Sequence, residues 1–226
     1  LYERFGTPDV VLGQHAAPAP AGWVLHRAGP MMAASDSVEL VLHGRGGHGS
    51  APQSTIDPAV LAASTVMRLQ TIVSREVDPA ATAVVTVGRL QVGSKENIIS
   101  DRAELGLSIR TFEPAVRDKI LASVERIVHG ECQTAGCTRE PAITRTFGTP
   151  VVDNDPEATA RLAAAFTGHF GADRVVQILA RAATPGTVTP QQQWRGLLPV
   201  VADRHQHVDL GLFGLAAEAA VNLQPV

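Results

Sequence analysis

Long hydrophobic runs are missing from this sequence of 226 residues: no apolar stretch approaches the roughly 20 residues needed to span a bilayer. An excess of one charge sign is missing too. The formal net charge of −3 gives no general attraction to nucleic acid or to an anionic membrane, so neither is expected as a partner. No segment repeats, and no run of glycine or proline is long enough to act as a disordered linker. No charged-then-apolar leader opens the sequence as it stands, Leu1 is not a methionine, and residues 1–8 read like mid-protein sequence. The expectation is therefore a truncated N-terminus, with a cytoplasmic location as the default.

Cysteine is nearly absent. Cys132 and Cys137, with His129, form a His-x-x-Cys-x-x-x-x-Cys run that supplies at most three zinc donors, with no fourth nearby. The plainer reading is a helix end before a turn at Gly136, with small apolar filler. What remains is 45% hydrophobic and 18% charged, the composition of a folded globular chain of one large or two small domains.

Residues 9–14 hold a short apolar run that ends at Gly13, which predicts a buried strand, and residues 23–26 predict another extended piece. From Ser37, apolar residues alternate at Val38, Leu40 and Leu42, the period of a strand with one apolar face. A glycine-rich loop over residues 44–50 follows, and then Asp57-Pro58 predicts a helix to about Arg75, with Val60, Ala63, Val66, Met67, Leu69 and Val73 on its apolar side. Strands are predicted over 82–92 and 103–110, a helix from Pro114, and a more polar strand over 138–147. The order β-α-β-β-α-β places two helices on one face of an antiparallel sheet, a ferredoxin-like sandwich whose other face stays open. A last helix is predicted from Asp155-Pro156 to about Gly171.

Four polar residues stand where the backbone pattern could present them. His15 follows a strand end, where side chains are delivered into clefts, although a lone histidine is more often structural. His48 lies in the glycine loop. It could donate a hydrogen bond to a reacting oxygen, or the loop could cradle an anion, or it is a plain connector. The anion reading lacks the lysine of a phosphate-binding loop, and His48-Gly49-Ser50 lacks the elbow of a serine nucleophile. Asn97 falls between two strands, where asparagine commonly serves a turn. Arg110, on the open sheet face, suits a carboxylate or is simply solvated. His205, His207 and Asp209 alternate and have metal-compatible side chains, in a surrounding sequence without a clear period.

Taken together, DVVLGQHAAP (9–18), GRGGHGSAP with Asp57-Pro58, LQTIVSREVDP (69–79), ENIISD (96–101) and LSIR (107–110) resemble the M20 metallopeptidases, in particular the hippurate hydrolase and N-acyl-amino-acid amidohydrolase branch. The resemblance runs in order from residue 9 to about residue 155. It implies an α/β catalytic domain that holds divalent zinc or manganese, with an inserted ferredoxin-like lid that forms a homodimer. On that template residues 1–34 are part of the catalytic domain, 35–150 the lid, and 151–226 a partial, divergent catalytic C-terminus. His15 looks like one ligand of a two-metal site, and His48 like the lid histidine that stabilises the tetrahedral oxyanion in the partner's site. Asn97 looks like a substrate-binding residue, and Arg110 like the one that takes the substrate carboxylate. The implied activity is hydrolysis of amide bonds in N-acyl amino acids or related small amides.

The sequence departs from that template in three places. The earlier ligands and general-base glutamate would lie before Leu1, and the later Glu-Asp-Phe segment and last ligand histidine are not recognisable after about Gln177. The family's Asn-Val-Ile-Pro turn reads Asn97-Ile98-Ile99-Ser100 here. The expectation is a catalytically incomplete fragment, the alternative a non-catalytic dimerisation module.

Overall fold

An acidic residue stands before proline at Asp57, Glu113 and Asp155, and each pair opens a helix. Proline tolerates the first helical position because its missing N–H would have no intrahelical partner there. Asp57 and Asp155 also cap their helices, accepting from the backbone N–H of Ala59 (2.8 Å) and Ala158 (2.6 Å). The helices are α1 (Pro58–Thr71), α2 (Pro114–Thr134) and α3 (Pro156–Phe170). The computed structural model describes residue 4, residues 6–17 and 19–178, and residues 196–203, the last segment and residue 17 by backbone alone. The alternating residues His205, His207 and Asp209 lie outside the described residues.

In chain order the strands are β1 (Val10–Ala17), β2 (Val24–His26), β3 (Gly29–Met32), β4 (Ala34–His43), β5 (Gly47–His48), β6 (Ala83–Val92), β7 (Ile98–Ile99), β8 (Arg102–Thr111), β9 (Ala142–Thr149), β10 (Val152–Asn154), β11 (Val175–Gln177) and β12 (Gly196–Asp203). The chain divides into two compact units, one of residues 1–29 with 153–226, the other Pro30–Val152.

In the first unit, β1 pairs antiparallel with β12 along its whole length, and β2 runs parallel to β11. The strand order is β1-β12-β2-β11. The side chain of Asn154 donates to the carbonyl of Arg27 (2.9 Å), tying the returning chain to the outgoing one.

The second unit is an antiparallel sheet in the order β6-β8-β4-β9, the topology of a ferredoxin-like β-α-β-β-α-β sandwich. Val38, Leu40 and Leu42 pair with Leu107, Leu105 and Ala103, and all six are buried beneath both helices. From α1 come Leu61, Ala62 and Leu69, and from α2 Ile120, Val124, Ile127 and Val128. Burial of one such aliphatic side chain is worth about 2 kcal/mol, so this core is what fixes the sheet register.

The buried side of α1 differs from the expectation. Leu69 is buried and Val66 half-buried, but Val60 and Met67 are 68% and 72% exposed, and Ala63 and Val73 are also exposed. The core side runs through Leu61, Ala62, Thr65 and Leu69 instead. The helix carries two apolar stripes, and the buried one contains a threonine. That is allowed because the Thr65 hydroxyl donates to the Leu61 carbonyl (2.8 Å), leaving only its methyl for the core to accommodate. The α-helix also ends earlier than Arg75, passing at Ile72 into one wider π turn to Glu76. The last sheet strand lies at Ala142–Thr149 rather than 138–147.

Asp36 points to the helix side of β4 and is fully buried. Arg117 of α2 grips it with Nε and Nη2 (2.7 and 2.9 Å), and Arg145 adds Nε at 2.6 Å. That hydrogen bond, with the nearby negative charge, raises the Arg117 pKa against the opposing effect of burial. Arg145 reaches Asp36 where the β4–β9 register shifts at Ser37/Val38, a bulge that re-aims its side chain.

Candidate functional site

β4 ends at His43, and the glycine loop that follows is shaped by the neighbouring backbone. Gly44 donates to the Asp101 carbonyl (2.9 Å), and Gly49 to the Asn97 carbonyl (2.8 Å). Between these bonds β5 pairs antiparallel with β7, Gly47 opposite Ile99 and His48 opposite Ile98. The approach leaves no room for a side chain at Gly46 and little at Gly49. A Cβ on Gly46 would lie 2.7 Å from the Ile99 carbonyl oxygen, and one on Gly49 3.1 Å from that of Asn97. The glycines therefore allow the loop to lie against the turn, which is why His48 comes beside Asn97 despite their wide separation in sequence.

His48 is exposed, and its Nδ1 lies 2.8 Å from Ser50 Oγ and accepts from the Ser50 backbone N–H (3.2 Å). Ala51 N–H closes the turn onto the His48 carbonyl (2.9 Å). No partner of Nε2 is found among the described residues, so this edge of the ring is available to a ligand. A shallow depression of ≈ 410 Å³ opens beside the same turn, lined in part by Lys95, Glu96, Ile98 and Ser100; His48 does not line it. At the base of the loop, burial lowers the pKa of His43, helped by the positive charges of Arg139 and Arg102.

Arg110 is exposed near the far end of β8, opposite Ser35 and Val84, on the sheet face away from the helices. The sheet strands carry three other arginines, and each has a carboxylate: Arg89 has Glu39 (2.9 Å) and Glu104 (3.4 Å), Arg102 has Glu104 (3.1 Å), and Arg145 has Asp36. Among the described residues Arg110 has none. The second unit thus brings His48 and Asn97 together and leaves Arg110 apart, eight residues and roughly 27 Å along β8 from its start at Arg102.

His15 does not follow the end of a strand as expected. β1 continues to Ala17, so His15 lies within it, exposed and paired with Leu198, its Nδ1 2.5 Å from the Ala16 carbonyl. Among the described residues no three His, Cys, Asp or Glu side chains converge as metal donors, so these residues alone do not assemble a two-metal centre. The His129–Cys132–Cys137 run does not form one either. His129 pairs with Glu140 (3.1 Å), while Cys132 is buried in the lid core, where desolvation, with Cys137 beside it, pushes its thiol up to about 12. A thiol so disfavoured as thiolate is a poor nucleophile.

Sequence reasoning misses Ser50, because the residue forms no nucleophile elbow. Its two-residue spacing from His48 is the signal that could have found it.

The second unit is thus a ferredoxin-like sandwich that carries the β5–β7 ribbon at one end of its sheet. Residues 34–134 match the M20 peptidase dimerisation domain. The chain is 35% identical over 152 residues to thermostable carboxypeptidase 2 of Saccharolobus solfataricus, covering 67% of this chain and 38% of the relative. It is 37% identical over 159 residues to the hippurate hydrolase of Campylobacter jejuni, covering 70% and 41%. Among solved structures, an aminobenzoyl-glutamate utilization protein from Klebsiella pneumoniae superposes with a TM-score of 0.57 at 14% identity, covering 78% of this chain and 49% of that one, which speaks to the fold alone. Residues 34–134 thus belong to the M20 peptidase dimerisation domain, and the chain spans about two fifths of the length of those two curated relatives.

Proposed function

We propose that the chain is the lid-bearing portion of a metal-dependent hydrolase of amide bonds in N-acyl amino acids, working as a homodimer in which each site uses residues of both protomers. The observation that carries this reading is the separation of His48 and Asn97 from Arg110. One small substrate cannot touch both ends of β8 in one protomer, so the two ends serve different sites. His48 Nε2–H donates to the carbonyl oxygen as it gains charge, Asn97 adds an amide donor, and Arg110 takes the carboxylate through its planar fork. A divalent metal, zinc or manganese, would in this reaction class activate a water for attack on the amide. His15 is the candidate ligand that the described residues offer for it. Hydrolysis by this chain alone is not expected.

The homodimer has its own support. β6 and β9 are the edges of the lid sheet, and an unpaired edge can pair with its twin about a two-fold axis. α1 lies over β6 and β8, and its outer stripe of Val60 and Met67 is apolar and exposed, as is Leu90 on β6. We place the interface on that side.

The test is calorimetric binding of hippurate, with metal content and turnover followed on added Mn²⁺ or Zn²⁺. His48→Ala and Arg110→Ala should each weaken hippurate binding about tenfold or more, the loss of one charge-assisted or oriented contact. An equimolar mixture of the two variants should recover a fraction of full-affinity sites. No recovery on mixing, with each variant still dimeric, would show that the residues do not share a site across protomers. Stoichiometric metal with His15-dependent turnover would overturn the view that this chain alone is inactive.

A further inference from the structure

The ring of His48 has two nitrogens, and only a protonated one can donate to an oxyanion. A neutral imidazole carries a single proton, so its placement decides whether the outward edge is a donor or an acceptor. The Ser50 backbone N–H, 3.2 Å from Nδ1, can only donate. Nδ1 must then present its lone pair, which puts the proton on Nε2, the nitrogen with no partner among the described residues. The Ser50 hydroxyl lies closer still, at 2.8 Å from the same nitrogen.

We infer that Ser50 is a positioning residue that fixes the tautomer and orientation of the His48 ring, so that Nε2–H faces outward as a preset donor. Its two groups act differently. The backbone N–H selects, within the neutral ring, the tautomer with Nδ1 unprotonated. The hydroxyl rotates: it donates to Nδ1 in the neutral ring, and accepts from Nδ1–H if the ring takes a second proton. Ser50 therefore keeps the ring anchored on the same side in both states, and in both Nε2 carries a proton. The turn that holds Ser50 in place is closed by Ala51 N–H on the His48 carbonyl, and Gly49 N–H on the Asn97 carbonyl ties it to β7. The donor is thus set by residues 48–51 and 97 of one chain, before any substrate or partner arrives.

This inference rests on the reading of His48 as the oxyanion donor, but its test reads the ring alone. Long-range ¹H–¹⁵N correlation spectra of the full chain, recorded in alkaline buffer where the ring is neutral, assign the proton directly. The expected result is one tautomer, protonated at Nε2, with an Nδ1 resonance displaced in the direction of a hydrogen-bonded acceptor. Ser50→Ala keeps the backbone N–H and removes the hydroxyl, so the Nδ1 resonance should move part of the way to the free value. Ser50→Thr should restore it, and the backbone amide signals of β5 and β7 should stay in place in both variants. A ring protonated at Nδ1, or an Nδ1 resonance unmoved in Ser50→Ala, would overturn the inference. If hippurate binding proves insensitive to His48→Ala while the Nε2–H signature holds, the hydrolase reading fails and the clamp stands.

Discussion

Asp36 is where a single side chain decides most. Its carboxylate has no solvent exposure and is shared by Arg117 and Arg145. Removing one partner of a buried ion pair leaves the others desolvated and uncompensated, at about 3–5 kcal/mol. Arg145 is half exposed and regains water, so Asp36→Ala is expected at the lower end, about 3 kcal/mol, measured as a shift in the urea midpoint at unchanged slope. A loss under about 1 kcal/mol would show that water replaces the carboxylate at no cost. Around the functional loop the deciding atoms are ones that glycine lacks. Gly46 leaves room for the carbonyl of Ile99, which an added Cβ would meet at 2.7 Å, and Gly49 eases the approach of Asn97.

At the scale of elements, α1 has two apolar stripes. The inner one, through Leu61 and Leu69, holds the helix to the sheet, and the outer one, through Val60 and Met67, faces away from the core. Substitutions in the two stripes should separate folding from assembly. Val60→Asp with Met67→Asp touches no core residue, so stability of the fold should change by only about 0.5 kcal/mol per site. The same pair should convert the dimer to monomer in light scattering, because two buried carboxylates without partners are strongly unfavourable in an interface. A double variant that remains dimeric at the same dissociation constant would rule out this side of the lid. The sequence alone could not rank the stripes: with Ala62 and Thr65 on the inner one, the outer reads as more hydrophobic, and only the position of the sheet shows which is covered.

For the whole molecule the groups that titrate on the acid side, two histidines and a glutamate, act in one direction. Burial lowers the pKa of His26 in the first unit and of His43 in the lid below the usual 6.5. Glu76 is held below its usual 4.5 first by its hydrogen bond to Arg126, with Ser123 assisting against burial. As pH falls below 6.5 the unfolded chain binds protons at these histidines before the folded one does, so stability is full above that value and declines beneath it. Below 4.5 Glu76 adds a second decline as its folded carboxylate resists protonation that the unfolded one accepts. Thermal melts just above and well below pH 6.5 should therefore show a lower melting temperature on the acid side. His43→Gln should flatten the first decline; an unchanged pH slope in that variant would show that His43 takes no part in it.

By itself the sequence determined the features that local chemistry dictates. Alternating residues in β4 and β8 gave strands with one apolar face, Asp57-Pro58, Pro114 and Asp155-Pro156 gave three helix starts, and the order of elements gave the sandwich. Helical and strand periods are properties of neighbouring residues, so they can be read along the chain. Tertiary structure alone decided which stripe of α1 is buried, that β1 carries on past His15 beside β12, and that a loop and a turn distant in sequence form the ribbon joining His48 to Asn97. It also decided that Arg110 stands apart and, among the described residues, without a carboxylate. Each depends on which distant backbone comes to lie alongside, and sequence spacing carries no record of that approach beyond the glycines that permit it.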